Sequence, residues 1–489
     1  MLSDPEAHRL RDHLVAGEFL YGNVTQRLGP SAVAALARNT SVAAERSLDR
    51  ADDAQALLIR AWLLQQAVRV DALSAVLGDL DPLLGAGLLL AHGDLVRAGV
   101  EIRPYATDDG FDGWVVADLT PGMDGRRSVP PPDFVLGVSP ASTTLAQLTV
   151  RTPVGSALDL GTGCGVQGLH LSSHAQQVVA TDLNPRALEL ANLTFRLNQV
   201  AADLRAGSLY EPVQNETFDL IVSNPPYVMS PPAPARLVYR EGSFQSDEMV
   251  RRVVAGGAAR LNPGGVLQVL GNWAVTAGEP WQERLHRWIA PTGCDALVLQ
   301  RELLDPYEYV EVWLADAGLT GSRRYREHYL RWMEYFDSLG IIGVGMGWLS
   351  LYRRDRDDPE ITIEDWPHAV YQPVGPAFGR YPDVVALSRL PEEALLARVW
   401  HLVDTVVQET AGEPGAADPH HLVLRDQSGF GRAIEADTAL AAVLGACDGD
   451  VPLGALIDAV ARLLDLDAEA ATADLVPRLR EVIAAGLLA

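Results

Sequence analysis

The sequence predicts an α/β protein, with a seven-stranded, doubly wound and largely parallel sheet at the centre and mainly helical, winged-helix-like domains on either side. Three observations carry this expectation. From Ala157 onward, short apolar runs alternate with stretches of helical spacing, the pattern of repeated strand–helix units. The runs are apolar throughout, as strands covered on both faces must be. Unusual glycine, proline and asparagine residues stand at the carboxyl ends of the runs, the edge on which such sheets bind ligands.

Residues 1 to about 105 are rich in Ala and Leu at helical spacing, as in "ADDAQALLIRAWLLQQ". Short helices, the turn "HGDLVRA" and an alternating stretch suggest a winged-helix-like module. An N-terminal domain is therefore expected over 1–130, closing in a Pro- and Gly-dominated linker from Asp118 to Pro132. The central domain is expected over 131–354, with strands at 157–160, 178–181, 203–206, 219–223, 266–270, 296–301 and 341–354. Near its end, Tyr325, Tyr329, Trp332 and Phe336 recur at helical spacing among arginines. A packed helix with solvated arginines accounts for this better than an RNA-stacking surface. After Asp355 the chain turns acidic and Pro-rich, then helical again, giving a C-terminal domain over 355–489, also read as winged-helix-like.

Composition narrows the function. The formal charge is −25, which disfavours nucleic acid as a partner, because phosphate contacts need clustered positive charge. All 39 basic side chains other than histidine are arginine, a bias read as base composition rather than chemistry. Cys164, Cys294 and Cys447 lie far apart without metal-ligand spacing, which fits a reducing compartment. No apolar run is long enough to span a bilayer. The expected location is cytoplasmic, with no membrane partner.

"SALDLGTGCGVQGLHL" places Gly161, Gly163 and Gly165 directly after the first strand. Glycines there let the chain turn sharply and let a ligand approach the amides of the next helix. Asp182 ends the following strand, where a carboxylate can accept both hydroxyl hydrogens of a ribose. Two adenosine cofactors compete at this point. Gly163 to Gly168 formally match the dinucleotide fingerprint G-x-G-x-x-G, whereas Asp159 to Gly165, read from the strand end, spell D-x-G-x-G-x-G. Cys164 is read as a small filler, and His170 and His174 as structural.

The fourth strand stops at Asn224-Pro225-Pro226-Tyr227. Pro225 holds Asn224 extended and neither proline has an N–H. The stretch thus presents fixed acceptors, the Asn224 side-chain oxygen and the Pro225 carbonyl, beside the flat face of Tyr227. These suit a planar NH₂ group, whose delocalised lone pair is a weak nucleophile. Two acceptors on its hydrogens can turn and polarise it, and positioning of this kind supplies up to about 7–11 kcal/mol.

Taken together, "LDLGTGCGVQGLHL", "VVATDLNPRALELANLTFRLN", "AGSLYEPVQNETFDLIVSNPPYV" and "LNPGGVLQVL" resemble class I (Rossmann-like) methyltransferases of the small methyltransferase group, and in particular the release-factor glutamine methyltransferases of the PrmC/HemK type. The resemblance covers about 134 to 275. It implies S-adenosyl-L-methionine as cofactor, held by Asp159, Gly161, Thr162, Gly163, Gly165, Asp182, Leu183, Ser208, Leu209 and Asn224. It also implies catalysis by Asn224, Pro225, Pro226 and Tyr227. One departure is Gly207-Ser208-Leu209, where the family has Gly-Asp-Leu; the aspartate that meets the adenine amino group is replaced by a serine. The first functional reading is an N-methyltransferase of a protein glutamine side chain, with a protein as the expected partner. The alternatives are an N-methyltransferase of a nucleobase amino group in RNA or DNA, and an inactive cofactor-binding regulator. Residues 236–254 are read either as a lid contributing Tyr239, Arg240 and Asp247 or as an exposed connector, and Phe134 or Thr143 as bordering the cofactor.

Overall fold

The computed structural model describes residues 2–108, 110–125, 130–232, 244–412 and 421–489. Tyr239 and Arg240 lie outside them. The central sheet comprises β1 (Val154–Leu160), β2 (Ala175–Asp182), β3 (Asp203–Ala206), β4 (Phe218–Ser223), β5 (Leu261–Thr276), β6 (Asp295–Leu304), β7 (Ile341–Tyr352) and β8 (Ile361–Asp365). Their spatial order is β3-β2-β1-β4-β5-β7-β6-β8. β1 to β5 run parallel, β7 is antiparallel to both β5 and β6, and β8 is parallel to β6. The order reverses between β1 and β4, which opens a crevice at their carboxyl ends.

The sheet has one strand more than expected and runs past the expected boundary at 354. β8 has a single neighbour in the sheet and is half-buried with acidic residues at its end. Its apolar signal is therefore weak, and only pairing with β6 reveals it.

Helices α1 (Pro140–Leu148), α2 (Val166–Leu171), α3 (Pro185–Leu197), α4 (Glu248–Ala258) and α5 (Trp281–Ile289) cover the two faces, and α6 (Pro306–Asp316) and α7 (Tyr325–Leu339) are inserted between β6 and β7. α7 buries Trp332 and Phe336 against Tyr309, Val228 and Met229.

The N-terminal segment does not stand apart. Helices Val70–Leu77 and Asp81–Gly85 accompany a small sheet of Val68–Arg69, Leu95–Ala98 and Leu89–His92. A hairpin, Glu101–Ala106 with Asp112–Ala117, then lies on α3, where Val116 N–H donates to Thr194 Oγ1 at 2.9 Å. One continuous core joins Leu14, Trp62 and Val116 to Leu190 and Phe195 of α3.

Asp118, expected to open a linker, is buried and functional to the packing. It accepts from Val135 N–H at 2.8 Å and pairs with Arg186. The C-terminal segment has its own core around Trp400, Leu444, Ile457 and Leu479.

Candidate active site

The glycine loop is set by the strands on either side of it. Leu160 pairs with Thr181 on β2 and with Ser223 on β4. The N–H groups of Gly161 and Thr162 both donate to the Thr181 carbonyl at 2.9 Å, so the loop folds back over β2. Gly161 (φ 78°), Gly163 (φ 56°) and Gly165 (φ 86°) take left-handed backbone, which other residues adopt at a cost. A Cβ on Gly161 or Gly163 would meet no protein atom within 4 Å, whereas one on Gly168 would stand 2.5 Å from the Phe195 ring. The first two glycines thus leave space for a ligand, and Gly168 lets α2 pack on α3.

Asp159 lies behind the loop rather than facing the crevice. It is buried, and its Oδ2 accepts from Thr162 Oγ1 at 2.6 Å and from Gly168 N–H at 2.9 Å. Burial pushes its pKa up to about 7 despite those two donors. Its role here is to brace the loop. Asp182 faces the crevice. Its Oδ2 accepts from Gly163 N–H at 2.9 Å and its Oδ1 from Asn184 N–H at 2.8 Å, while burial raises its pKa.

One cavity collects both motifs. It is lined by Gly161, Thr162, Gly163, Asp182, Leu183, Ser208, Leu209, Asn224, Pro225 and Pro226, with Phe134, Phe244 and Met249 closing other sides. Leu183 is 60% exposed although apolar, so it and Leu209 offer two apolar walls for a flat base. Ser223 Oγ donates to the Leu160 carbonyl at 2.8 Å, which ties the end of β4 beside the glycine loop. Asn224 next to it has no hydrogen-bond partner among the described residues. Its amide is unspent.

Five expected positions lie elsewhere. Gly165 and Asp159 are absent from the cavity lining, as is Thr143. Tyr227 is turned away: it makes an edge contact with Trp313, ring centroids 6.5 Å apart, and does not line the cavity. Asp247 is a buried post rather than a lid residue. It is paired to Arg284 and accepts from Ala274 N–H at 2.9 Å. Cys164 lines the cavity as a thiol whose pKa burial pushes up to about 12, which leaves no nucleophilic thiolate.

Phe134, expected to border the cofactor, lines the cavity, and the wall that continues from it to Ser139 is what the sequence left least visible. Asp118, Arg186 and the bond from Asn184 Nδ2 to the Asp133 carbonyl hold it in place. Thr181 also lines the cavity, and its buried hydroxyl has no partner among the described residues.

Residues 137–286 match the family described as "Methyltransferase small domain". The chain thus carries a small methyltransferase domain, with further segments on either side of it. A second match, over 16–99, is to a domain of unknown function (DUF7059). Among curated proteins, the chain is similar to the ribosomal RNA small subunit methyltransferase C of Klebsiella pneumoniae, 32% identical over 208 residues, covering 41% of this chain and 54% of that protein. The counterpart from Salmonella arizonae is 28% identical over 209 residues, covering 42% and 54%. The chain thus spans about half the length of the curated relatives it matches. Solved structures with similarity include a Pyrococcus furiosus methyltransferase (16% identity, TM-score 0.28, covering 45% of this chain and 88% of that one). Another is the Thermus thermophilus 16S rRNA N2 G1207 methyltransferase solved with AdoMet and guanosine (20% identity, TM-score 0.26, covering 46% and 59%).

S-adenosylmethionine is the cofactor of the small methyltransferase domain, and the residues present fit it. Asp182 suits the ribose hydroxyls, the space above Gly161 and Gly163 suits the amino-acid end, and Leu183 and Leu209 suit the adenine ring. The expectation of a protein partner is overturned, because these curated relatives are ribosomal RNA methyltransferases. Net charge does not decide the partner, because it sums over the whole chain while substrate choice rests on a local surface.

Proposed function

We propose that the protein is an S-adenosylmethionine-dependent N-methyltransferase acting on the exocyclic amino group of a nucleobase in RNA. The observation that carries this reading is the shared cavity: Asn224, its amide unspent among the described residues, and Pro225 stand on the wall next to the glycine loop. The bound cofactor supplies an electrophilic methyl group on a sulfonium. Asn224 Oδ1 and the Pro225 carbonyl accept the two N–H bonds of the base and turn its lone pair toward that methyl. No group in the cavity needs to be a strong base, since the methylated nitrogen is acidic enough to release its proton to water. Orientation is the main contribution of the chain. Between glutamine and a nucleobase, which this grip serves equally, the ribosomal RNA methyltransferases among the relatives favour the base.

The test is transfer of labelled methyl from the cofactor into a cell lysate, divided between nuclease and protease. Label removed by nuclease and retained after protease is the expected result. The reverse pattern would return the reading to an amide in protein, and no incorporation would favour a cofactor-binding regulator.

A further inference from the structure

Arg324, the residue that caps the start of α7, and His328, Arg331 and Tyr335 within it recur at intervals of four, three and four, so they line up along one side of the helix. Arg324 and Arg331 are exposed, and neither forms an ion pair among the described residues. Elsewhere the cations are widely neutralised: Arg186 by Asp118, Arg205 by Asp203 and Glu216, Arg478 by Asp437 and Asp474. Glu327, three residues after Arg324 and four before Arg331, and Glu334, three after Arg331, border the stripe, yet neither pairs with these arginines among the described residues. Burial first, and then the Arg324 and Arg331 charges, depress the His328 pKa, so both guanidinium groups act on one spot.

The stripe is bonded to two segments that continue from cavity-lining residues. Arg331 Nη2 donates to the Pro232 carbonyl at 3.3 Å, on the chain that continues from Asn224-Pro225-Pro226-Tyr227. Ser246 N–H donates to Tyr335 Oη at 3.0 Å, close in sequence to Phe244, which lines the cavity. Trp332 and Phe336 beneath are packed on Val228, Met229 and Tyr309, so the stripe sits on a rigid support.

We propose that the Arg324–Arg331 stripe holds the phosphates of the single-stranded RNA segment that flanks the target nucleotide. This rests on the nucleobase reading above. A base that reaches Asn224 brings its own phosphates with it, and on a chain of charge −25 these need a local cationic strip. Arginine presents a planar fork that matches a phosphate with two hydrogen bonds. An amide side chain brings no such charge.

The experiment compares wild type, Arg324→Ala/Arg331→Ala and Arg324→Lys/Arg331→Lys, using fluorescence anisotropy with a short labelled single-stranded RNA of mixed sequence. The double alanine variant is expected to bind about tenfold or more weakly, with its log–log salt slope shallower by about 1.4, at about 0.7 per lost phosphate contact. The lysine variant should keep most of the affinity, and cofactor affinity and melting temperature should match wild type in both. Wild-type RNA affinity and salt slope in the alanine variant would overturn the stripe; if wild type still placed methyl in RNA, the nucleobase reading would survive. A wild type that binds no RNA overturns the stripe, and one that methylates no RNA overturns the underlying reading. A double alanine variant impaired only toward a protease-sensitive acceptor assigns the surface to a protein and overturns the proposal.

Discussion

Ser223 Oγ donates to the carbonyl of Leu160 at 2.8 Å across the β1–β4 boundary. Each residue is the last of its strand, one preceding the glycine loop and the other preceding Asn224. This buried hydrogen bond reinforces the β1–β4 ladder, which pairs the same two residues, where the strand ends hold the glycine loop beside Asn224. Ser223→Ala leaves the Leu160 carbonyl without that donor, a loss of about 1–3 kcal/mol for a buried acceptor. Thermal melting should fall accordingly, and kcat should drop more than the affinity for cofactor. Wild-type kcat in a stably folded variant would show that the ladder alone holds the spacing.

Asp182→Ala removes the expected partner of the ribose hydroxyls and the acceptor for Gly163 N–H. Calorimetry should show S-adenosylmethionine affinity reduced by about tenfold or more, a loss of the size of one or two charge-assisted hydrogen bonds. Unchanged affinity would remove Asp182 from the cofactor site.

Asn224→Ala should lower methyl transfer by about a hundredfold or more, the scale of losing an orienting contact at the reacting group. Cofactor affinity should stay within about threefold, since that change corresponds to less than one hydrogen bond. Retained turnover in single-turnover assays would refute the grip.

Asp159 links pH to stability. Its folded pKa is raised from 3.8 to about 7, so the folded state holds a proton that the unfolded chain releases. Its contribution to stability is complete below pH 3.8 and is lost as pH rises through about 7. Asp159→Asn, which stays neutral, should melt increasingly above wild type as pH is raised from 4 to 8. Melting curves that remain parallel across that range would show that the carboxyl is not the titrating group.

Arg284 is the counter-charge of the buried Asp247. Arg284→Ala strands that carboxylate and should destabilise the fold by about 3–5 kcal/mol, read by chemical denaturation. A loss below 1 kcal/mol would mean that Ala274 N–H and water suffice for Asp247.

The order of seven strands and the two strand-end motifs were legible because each is a local pattern. An apolar run read to its end locates Gly161, Asp182 and Asn224 within a few residues, and the regular sheet brings those ends to one edge. The expected strands at 203–206 and 219–223 match β3 and β4 almost to the residue. Less legible was whatever required two distant segments to meet. β8 is defined only by its pairing with β6, and the wall beyond Phe134 by the Asp118–Arg186 pair and the bond from Asn184 to the Asp133 carbonyl.

By itself, then, the sequence determined the chemical inventory of the site: a loop with room for a cofactor, a carboxylate after the second strand and a rigid pair of acceptors after the fourth. Tertiary structure alone decided how that inventory is deployed. It turned Tyr227 onto Trp313, set Asp159 behind the loop, buried Asp247 against Arg284 and left Asn224 in the cavity with no partner among the described residues. The physical reason is that residue type fixes what a side chain can bond, while burial and the partners that packing supplies fix what it does bond.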